Sequence, residues 1–120
     1  MKIDSTEFGS ITINGTTYGH DILIQLSGEV VKRKKKLSKK YYGTSHIISR
    51  EEAEFIYEKG CDTLVVGTGQ YGNVELSPEA AEFLGHHGCR VILLPTPAAI
   101  VAYNKVRGKA KAIGVFHVTC

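Results

Sequence analysis

The stretch Thr63–Gly72, TLVVGTGQYG, holds the residues best suited to chemistry. Four uncharged residues are followed by glycines at 67, 69 and 72. An uncharged run of this kind suits a strand covered on both faces. The glycines then let the backbone turn sharply or approach a ligand closely. Their G-x-G-x-x-G spacing matches a dinucleotide fingerprint, but the surroundings do not. In that motif a helix begins inside the glycines, and an acid after the next strand holds a ribose. Here the next helix start is Ser77-Pro78, and the following strand runs into Pro95-Thr96-Pro97 without an acid. The remaining expectation is a crevice at the carboxyl ends of parallel strands, where open α/β sheets gather ligands. Gly67, Thr68, Gly69, Gln70, Tyr71 and Thr96 are its candidate residues. Gly67 and Gly69 leave backbone N–H groups open, and a helix capped by Thr96 and opening at Pro97 adds a positive end, so an anion suits the place better than a cation. No residue is assigned a catalytic role.

Other reactive side chains read as structural. Cys61 and Cys89 each follow a glycine and lead into an apolar strand, where a buried thiol packs as a small inert hydrophobe. Cys120 stands three after His117, a spacing that puts the two on opposite faces of a continuous strand. A metal site on a helix wants histidines four apart on one face. His86 and His87 are adjacent, so they complement a helix end instead, and neither metal nor cofactor is expected.

The 15 basic residues are unevenly spread. Lys32–Lys40 holds seven of them and no acid, leaving eight against 12 acids in the remainder. Lys34, Lys35, Lys36, Lys39 and Lys40 could grip phosphates, and Tyr41 and Tyr42 could stack on bases. A run of like charge without helical or strand periodicity is otherwise a solvated loop that blunts a sheet edge, and that is the reading adopted for residues 32–45.

These candidates need elements to position them. SREEAEFIYEKGCDTLVVGT (Ser49–Thr68) aligns without a gap on SPEAAEFLGHHGCRVILLPT (Ser77–Thr96), 28 residues on. Each unit is a serine N-cap, acids in a first helical turn, a closing glycine and a buried strand. Ser49 and Glu52 form a capping box with an Ile48–Ala53 staple, and Gly60 and Gly88 end the two helices. Phe55 and Phe83 occupy equivalent inward positions. A third helix runs from Pro97 to Gly108, and Ala112–Val118 is a last strand. Before residue 49 the chain reads as antiparallel β. Asn14-Gly15 turns one hairpin, between Ser10–Ile13 and Thr16–Tyr18. Ser27-Gly28 turns a second, between Asp21–Leu26 and Glu29–Lys32.

The expected class is α/β, a three-layer fold with a mixed central sheet, helices packed on it and an antiparallel N-terminal β-meander. At 120 residues, 42% apolar and 22% charged, this is a single domain, residues 1–120. No apolar run reaches the roughly 18 residues that cross a membrane. Three cysteines without a C-x-x-C, and an N-terminus lacking a signal core, fit the cytoplasm.

GTSHIIS (Gly43–Ser49), LVVGTGQYG (Leu64–Gly72), the PTP at Pro95, Tyr103-Asn104 and the ending GVFHVTC (Gly114–Cys120) carry a family resemblance. The chain resembles a family of unknown function, a small domain typified by an archaeal hypothetical protein. That family has an adipogenesis-associated relative in animals and a distant one in a mitochondrial complex I assembly factor. The resemblance implies a compact three-layer α/β fold with a mixed sheet whose last strand runs antiparallel to the others. It implies no established activity and supplies no catalytic residues. The animal relatives lack the lysine run.

Together these readings describe a non-enzymatic domain that binds a protein partner, a second copy of itself or a small anionic ligand. The alternatives are an enzyme using the crevice at Gly67–Tyr71 and Thr96, or a nucleic-acid binder using Lys32–Lys40. For the last, a filter assay on RNA and DNA should show no retention near physiological salt. Submicromolar retention that falls steeply with salt, and flattens when the five lysines become glutamine, would reverse that reading.

Overall fold

The computed structural model describes residues 2–118. In chain order the elements are β1 (Ile3–Glu7), β2 (Ser10–Ile13), β3 (Thr16–Tyr18), β4 (Ile22–Ile24), β5 (Val30–Lys32), α1 (Lys36–Tyr42), β6 (Ile47–Ile48), α2 (Arg50–Ile56), β7 (Thr63–Gly67), β8 (Glu75–Leu76), α3 (Pro78–His86), β9 (Arg90–Leu94), α4 (Thr96–Val106) and β10 (Ala112–Phe116). Turn chemistry sets the opening. Asn14 (φ 49°) and Gly15 (φ 80°) both take positive φ, as a two-residue hairpin turn requires, and join β2 to β3. β1 adds to β2 to complete a three-stranded antiparallel sheet.

A five-stranded sheet has the order β5-β4-β10-β7-β9. β7 pairs in parallel with both β9 and β10, so the two repeat units lie side by side. The last strand, β10, runs parallel to β7 and β9, contrary to the family-based expectation. The strand that runs against its neighbours is β4, antiparallel to β10 on one side and β5 on the other. α4 carries the chain back to the end of the sheet at which β7 and β9 begin, so β10 enters parallel to them.

Side-chain alternation divides the core between the two faces of this sheet. Leu64, Val66, Ile113 and Val115 face α2 and α3, packing with Ile56, Ala80 and Leu84. Val65, Ala112 and Phe116 face the meander and α4, packing with Ile3, Ile11, Ala99 and Tyr103. The expected three layers result. Phe116 sets the tightest constraint. A Cβ on Gly114 would lie 2.5 Å from its ring, and one on Gly67 would lie 2.8 Å from its ring and 2.9 Å from Thr96 Oγ1. Both positions therefore exclude any side chain.

Several local expectations change. The lysine-rich run is not a loop. Residues 36–42 form α1, closed by Gly43 at φ 69° and fixed by the buried hydroxyl of Ser38. α2 stops at Ile56 with an extended Tyr57, short of Gly60. Only half of its capping box forms: Ser49 Oγ accepts from Glu52 N at 3.1 Å, but the Glu52 carboxylate turns away. The Ser49 amide instead donates to Ser38 Oγ at 2.9 Å. β6 and β8 form a short parallel ladder that local patterning did not signal.

The repeat equivalence also fails at the phenylalanines. Phe83 is half-buried against the core and meets Tyr57 edge-on, with ring centres 5.9 Å apart. Phe55 is 40% exposed and lies under Lys34 Nζ, 4.6 Å from its ring centre. In urea unfolding, Phe83→Ala should cost roughly 1–3 kcal/mol. Phe55→Ala should cost less than about 1 kcal/mol. Equal losses would mean that the two helices present the same face after all.

Candidate functional site

Strand register assembles a buried charged cluster beside the crevice. Ile22 pairs with Lys32 on one side and with Phe116 on the other. The next position along therefore sets Asp21 between Arg33 and His117. Arg33 N donates to Asp21 O at 3.1 Å. Arg33 Nη1 donates to Asp21 Oδ2 at 3.0 Å, and its Nε and Nη2 clasp Glu52 Oε2 and Oε1 at 2.6 and 3.0 Å. Nη2 also donates to Ser45 O at 2.8 Å, and Ser38 Oγ donates to Glu52 Oε1. Asp21, Arg33, Glu52 and His117 are all buried.

Asp21 joins Arg33 to the end of β10. Its Oδ2 accepts from His117 Nδ1 at 2.6 Å, its Oδ1 accepts from Val118 N at 2.8 Å, and Lys35 Nζ stands 3.5 Å away. Burial alone would raise its pKa. The bonds from His117 and Val118 and the nearby positive charges outweigh burial and lower it to about 2. Arg33 is raised: burial works against its charge, and the Glu52 and Asp21 carboxylates overcome that.

An ionised Asp21 can only accept, so His117 Nδ1 carries a proton and the other ring nitrogen faces away. His117 is 1% exposed, and its Nε2 is buried without a hydrogen-bond partner. Beside it lies Gly69, at φ +104°, where an added Cβ would stand 2.9 Å from His117 Cδ2 and 3.8 Å from Nε2. The His46 ring meets the imidazole edge-on at 5.3 Å.

The structure brings Gly67, Thr68, Gly69 and Thr96 together at the carboxyl ends of β7 and β9. Their polar groups are spent on one another. Thr68 N donates to Leu94 O at 2.8 Å, and Thr96 N donates to Gly69 O at 2.9 Å. Gly69 N donates to Thr96 Oγ1 at 2.9 Å, and that hydroxyl donates to His117 O at 2.7 Å. The Gly69 N–H expected to be open is thus committed. Pro95, not Thr96, is the N-cap of α4, because the Thr96 hydroxyl points back to the sheet. Gln70 Nε2 reaches Thr6 Oγ1 at 3.2 Å, and Tyr71 is 78% exposed.

His117 and Asp21 were missing from the sequence-based site. The available signal was a charged or titratable residue abutting each short strand: Asp21 before ILI, and Arg33 and His117 after VVK and GVF. The lysines are dispersed from the segment before α1 (Lys34 and Lys35) through its first residue, Lys36, to its last turn (Lys39 and Lys40). A depression of about 490 Å³ runs along Lys32–Lys36, and Lys40 Nζ lies 5.7 Å from the Tyr41 ring centre. His87 stacks on Tyr57 at 4.7 Å, and among the described residues no three His, Cys, Asp or Glu converge on a metal position. The His117–Cys120 pairing lies outside the described residues.

Asp21 gives an acid-stability prediction. Its folded pKa lies below its ordinary value of 3.8, so its contribution is present above that value and is lost as pH falls through about 2. Unfolding free energy should drop by about 2 kcal/mol across this window on account of Asp21. Carboxyl ¹³C spectra at pH 3 should show Asp21 still ionised. A midpoint near 4 would refute the cluster.

A larger depression, about 530 Å³, opens at the other end of the sheet between Gly28, Lys59, Arg107 and Lys111, away from these residues. No helix among the described residues is long and apolar enough to cross a membrane. Several solved structures share the fold. A conserved hypothetical protein of Pyrococcus horikoshii OT3 is 39% identical, with all of both chains covered and a TM-score of 0.93. The protein MT938 is 32% identical over 99% of this chain and 98% of that one, with a TM-score of 0.83. A Bordetella pertussis protein described as an Mth938-like domain is 19% identical over 98% and 85%, with a TM-score of 0.65, a likeness of fold alone. Residues 3–117 match the model of a family described as proteins of unknown function, DUF498/DUF598, and the chain belongs to that family.

Proposed function

We propose that this domain binds a small anionic ligand at the crevice, with the His117 imidazole as the principal contact. The observation that carries the proposal is the unpartnered, buried His117 Nε2 beside Gly69, which lacks a side chain. Buried polar atoms are otherwise paired, and an exception marks a place where a partner belongs. Charge balance admits a small anion that shares one proton with the imidazole. Asp21 and Glu52 supply two negative charges, and Arg33 and Lys35 supply two positive ones, so the cluster balances when the imidazole is neutral. A hydrogen-bearing oxyanion against a neutral imidazole, or an ionised one against an imidazolium, differ only in where one proton lies. Either fills the place without leaving a buried charge unmatched.

The Gln70–Asn73 turn is the entry. It is exposed apart from half-buried Gln70, and Gly72 at φ +71° lets it hinge. Gly67 and Thr68 hold the floor, Gly69 lets the backbone lie directly against the imidazole, Gln70 and Tyr71 form the wall, and Thr96 ties the two strands. An enzyme reading has less support. The Asp21–His117 pair resembles an acid–base dyad, but the Thr96 hydroxyl beside it is committed to Gly69 and His117.

Inorganic phosphate, sulfate, acetate and phosphorylated metabolites can be titrated into the ¹⁵N-histidine-labelled protein. A ligand should shift the His117 Nε2 resonance at saturation and leave His86 and His87 unmoved. At a hundred times Kd it should stabilise the fold by about 2.7 kcal/mol. Binding that leaves the His117 resonance unmoved, or no binding across the panel, would overturn the proposal.

A further inference from the structure

Cys61 and Cys89 hold equivalent places in the two repeat units, and the fold turns that equivalence into contact. Thr63 pairs with Arg90 in the parallel β7–β9 ladder, so the segments entering the two strands run side by side. The sulfurs lie 3.7 Å apart, and both residues are buried, at 3% and 6% exposure. A disulfide needs sulfurs about 2.05 Å apart, so closure asks for a movement of roughly 1.7 Å. The backbone can supply it. Cys61 sits outside the ladder in the turn after Gly60, at φ +97°, and Cys89 follows Gly88, at φ +68°.

We infer that Cys61 and Cys89 are a dithiol that low-molecular-weight disulfides oxidise to an intrachain disulfide. Two buried cysteines on neighbouring strands can be coincident small hydrophobes, but contact between the sulfurs gives them a shared chemistry that isolated packing residues lack. The S–H of either cysteine can donate to the other sulfur, so whichever thiol ionises is stabilised by the S–H that remains. Either sulfur can attack first, and the steps are the same with the two exchanged.

The exchange balances with one small disulfide. The Cys61 thiolate attacks one sulfur of the small disulfide. A protein–small-molecule S–S bond forms, and the first small thiolate leaves and takes up a proton. Cys89 then loses its proton and attacks the Cys61 sulfur. The Cys61–Cys89 bond forms and the second small thiolate leaves, so the protein loses two electrons and two protons in all. The loop closed in this way, residues 61–89, contains β7, α3 and the whole Gly67–Gly72 turn. Oxidation thus ties the base of both repeat units and fences in the crevice segment.

The test uses the full chain in buffers of graded oxidised to reduced glutathione. Samples are quenched in acid, alkylated in denaturant and read by intact mass and peptide mapping. The expected product weighs two hydrogens less than the reduced chain, resists alkylation at two cysteines, and yields one linked peptide containing Cys61 and Cys89. Its thermal midpoint should lie above that of the reduced protein, as a bond constraining the unfolded chain predicts. A Cys120→Ser chain should behave identically, and a Cys61→Ser chain should give no linked peptide. Full alkylation at every ratio, a stable glutathione adduct as end point, or a linked peptide containing Cys120 would each overturn the inference.

Discussion

The carboxylate of Asp21 fastens this fold. It sits at the start of β4 and accepts from the end of β10 through His117 and Val118, from the end of β5 through Arg33, and from the entry to α1 through Lys35. β4 is the strand that runs against its neighbours, and at this end its antiparallel partners are pinned to one residue. Burying that much charge is costly. The arrangement is tolerable because nearly every lone pair and proton in it is matched. Arg33 engages two carboxylates and a backbone carbonyl, and Ser38 closes the remaining side of Glu52. The exception is His117 Nε2, and it lies at the boundary with the glycine turn.

Core and crevice share a wall. Phe116 fills the space beneath Gly67 and Gly114, and the next residue is His117, whose carbonyl accepts from Thr96. The bulk that closes one face of the sheet thus sets the position of the imidazole beyond its end. A substitution at Gly67 or Gly114 would displace the aromatic ring first and the histidine with it.

Features legible in the sequence are those fixed within a few residues. Asn14-Gly15 turns a hairpin because its φ values demand it, and Ser77 with Pro78 starts α3 because both complete a first helical turn. The 28-residue repeat is legible because each unit carries its own serine cap, closing glycine and apolar strand. What was hidden depends on distant partners. The lysine run is helical because Ser38 finds Glu52 and Ser49 across the molecule. The β6–β8 ladder exists only once α2 and α3 lie together. Phe55 matches Phe83 in the repeat, but Lys34 covers one and the core receives the other. The charged cluster was least visible, since each member reads locally as an ordinary polar residue at a strand end.

The position of β10 has a consequence for how the chain comes together. Among the described strands it is the last in chain order, yet it lies in the middle of the sheet, between β4 and β7. On the ribosome the opening hairpins can form as they emerge, because their contacts are local. β4, however, has no route to β7 until residues 112–116 are out. Asp21 must likewise wait for Val118, 97 residues later. During that interval the edges of β4 and β7 that β10 will join are unpaired, a state prone to misassociation. The sheet therefore becomes continuous only when β10 joins β4 on one side to β7 on the other.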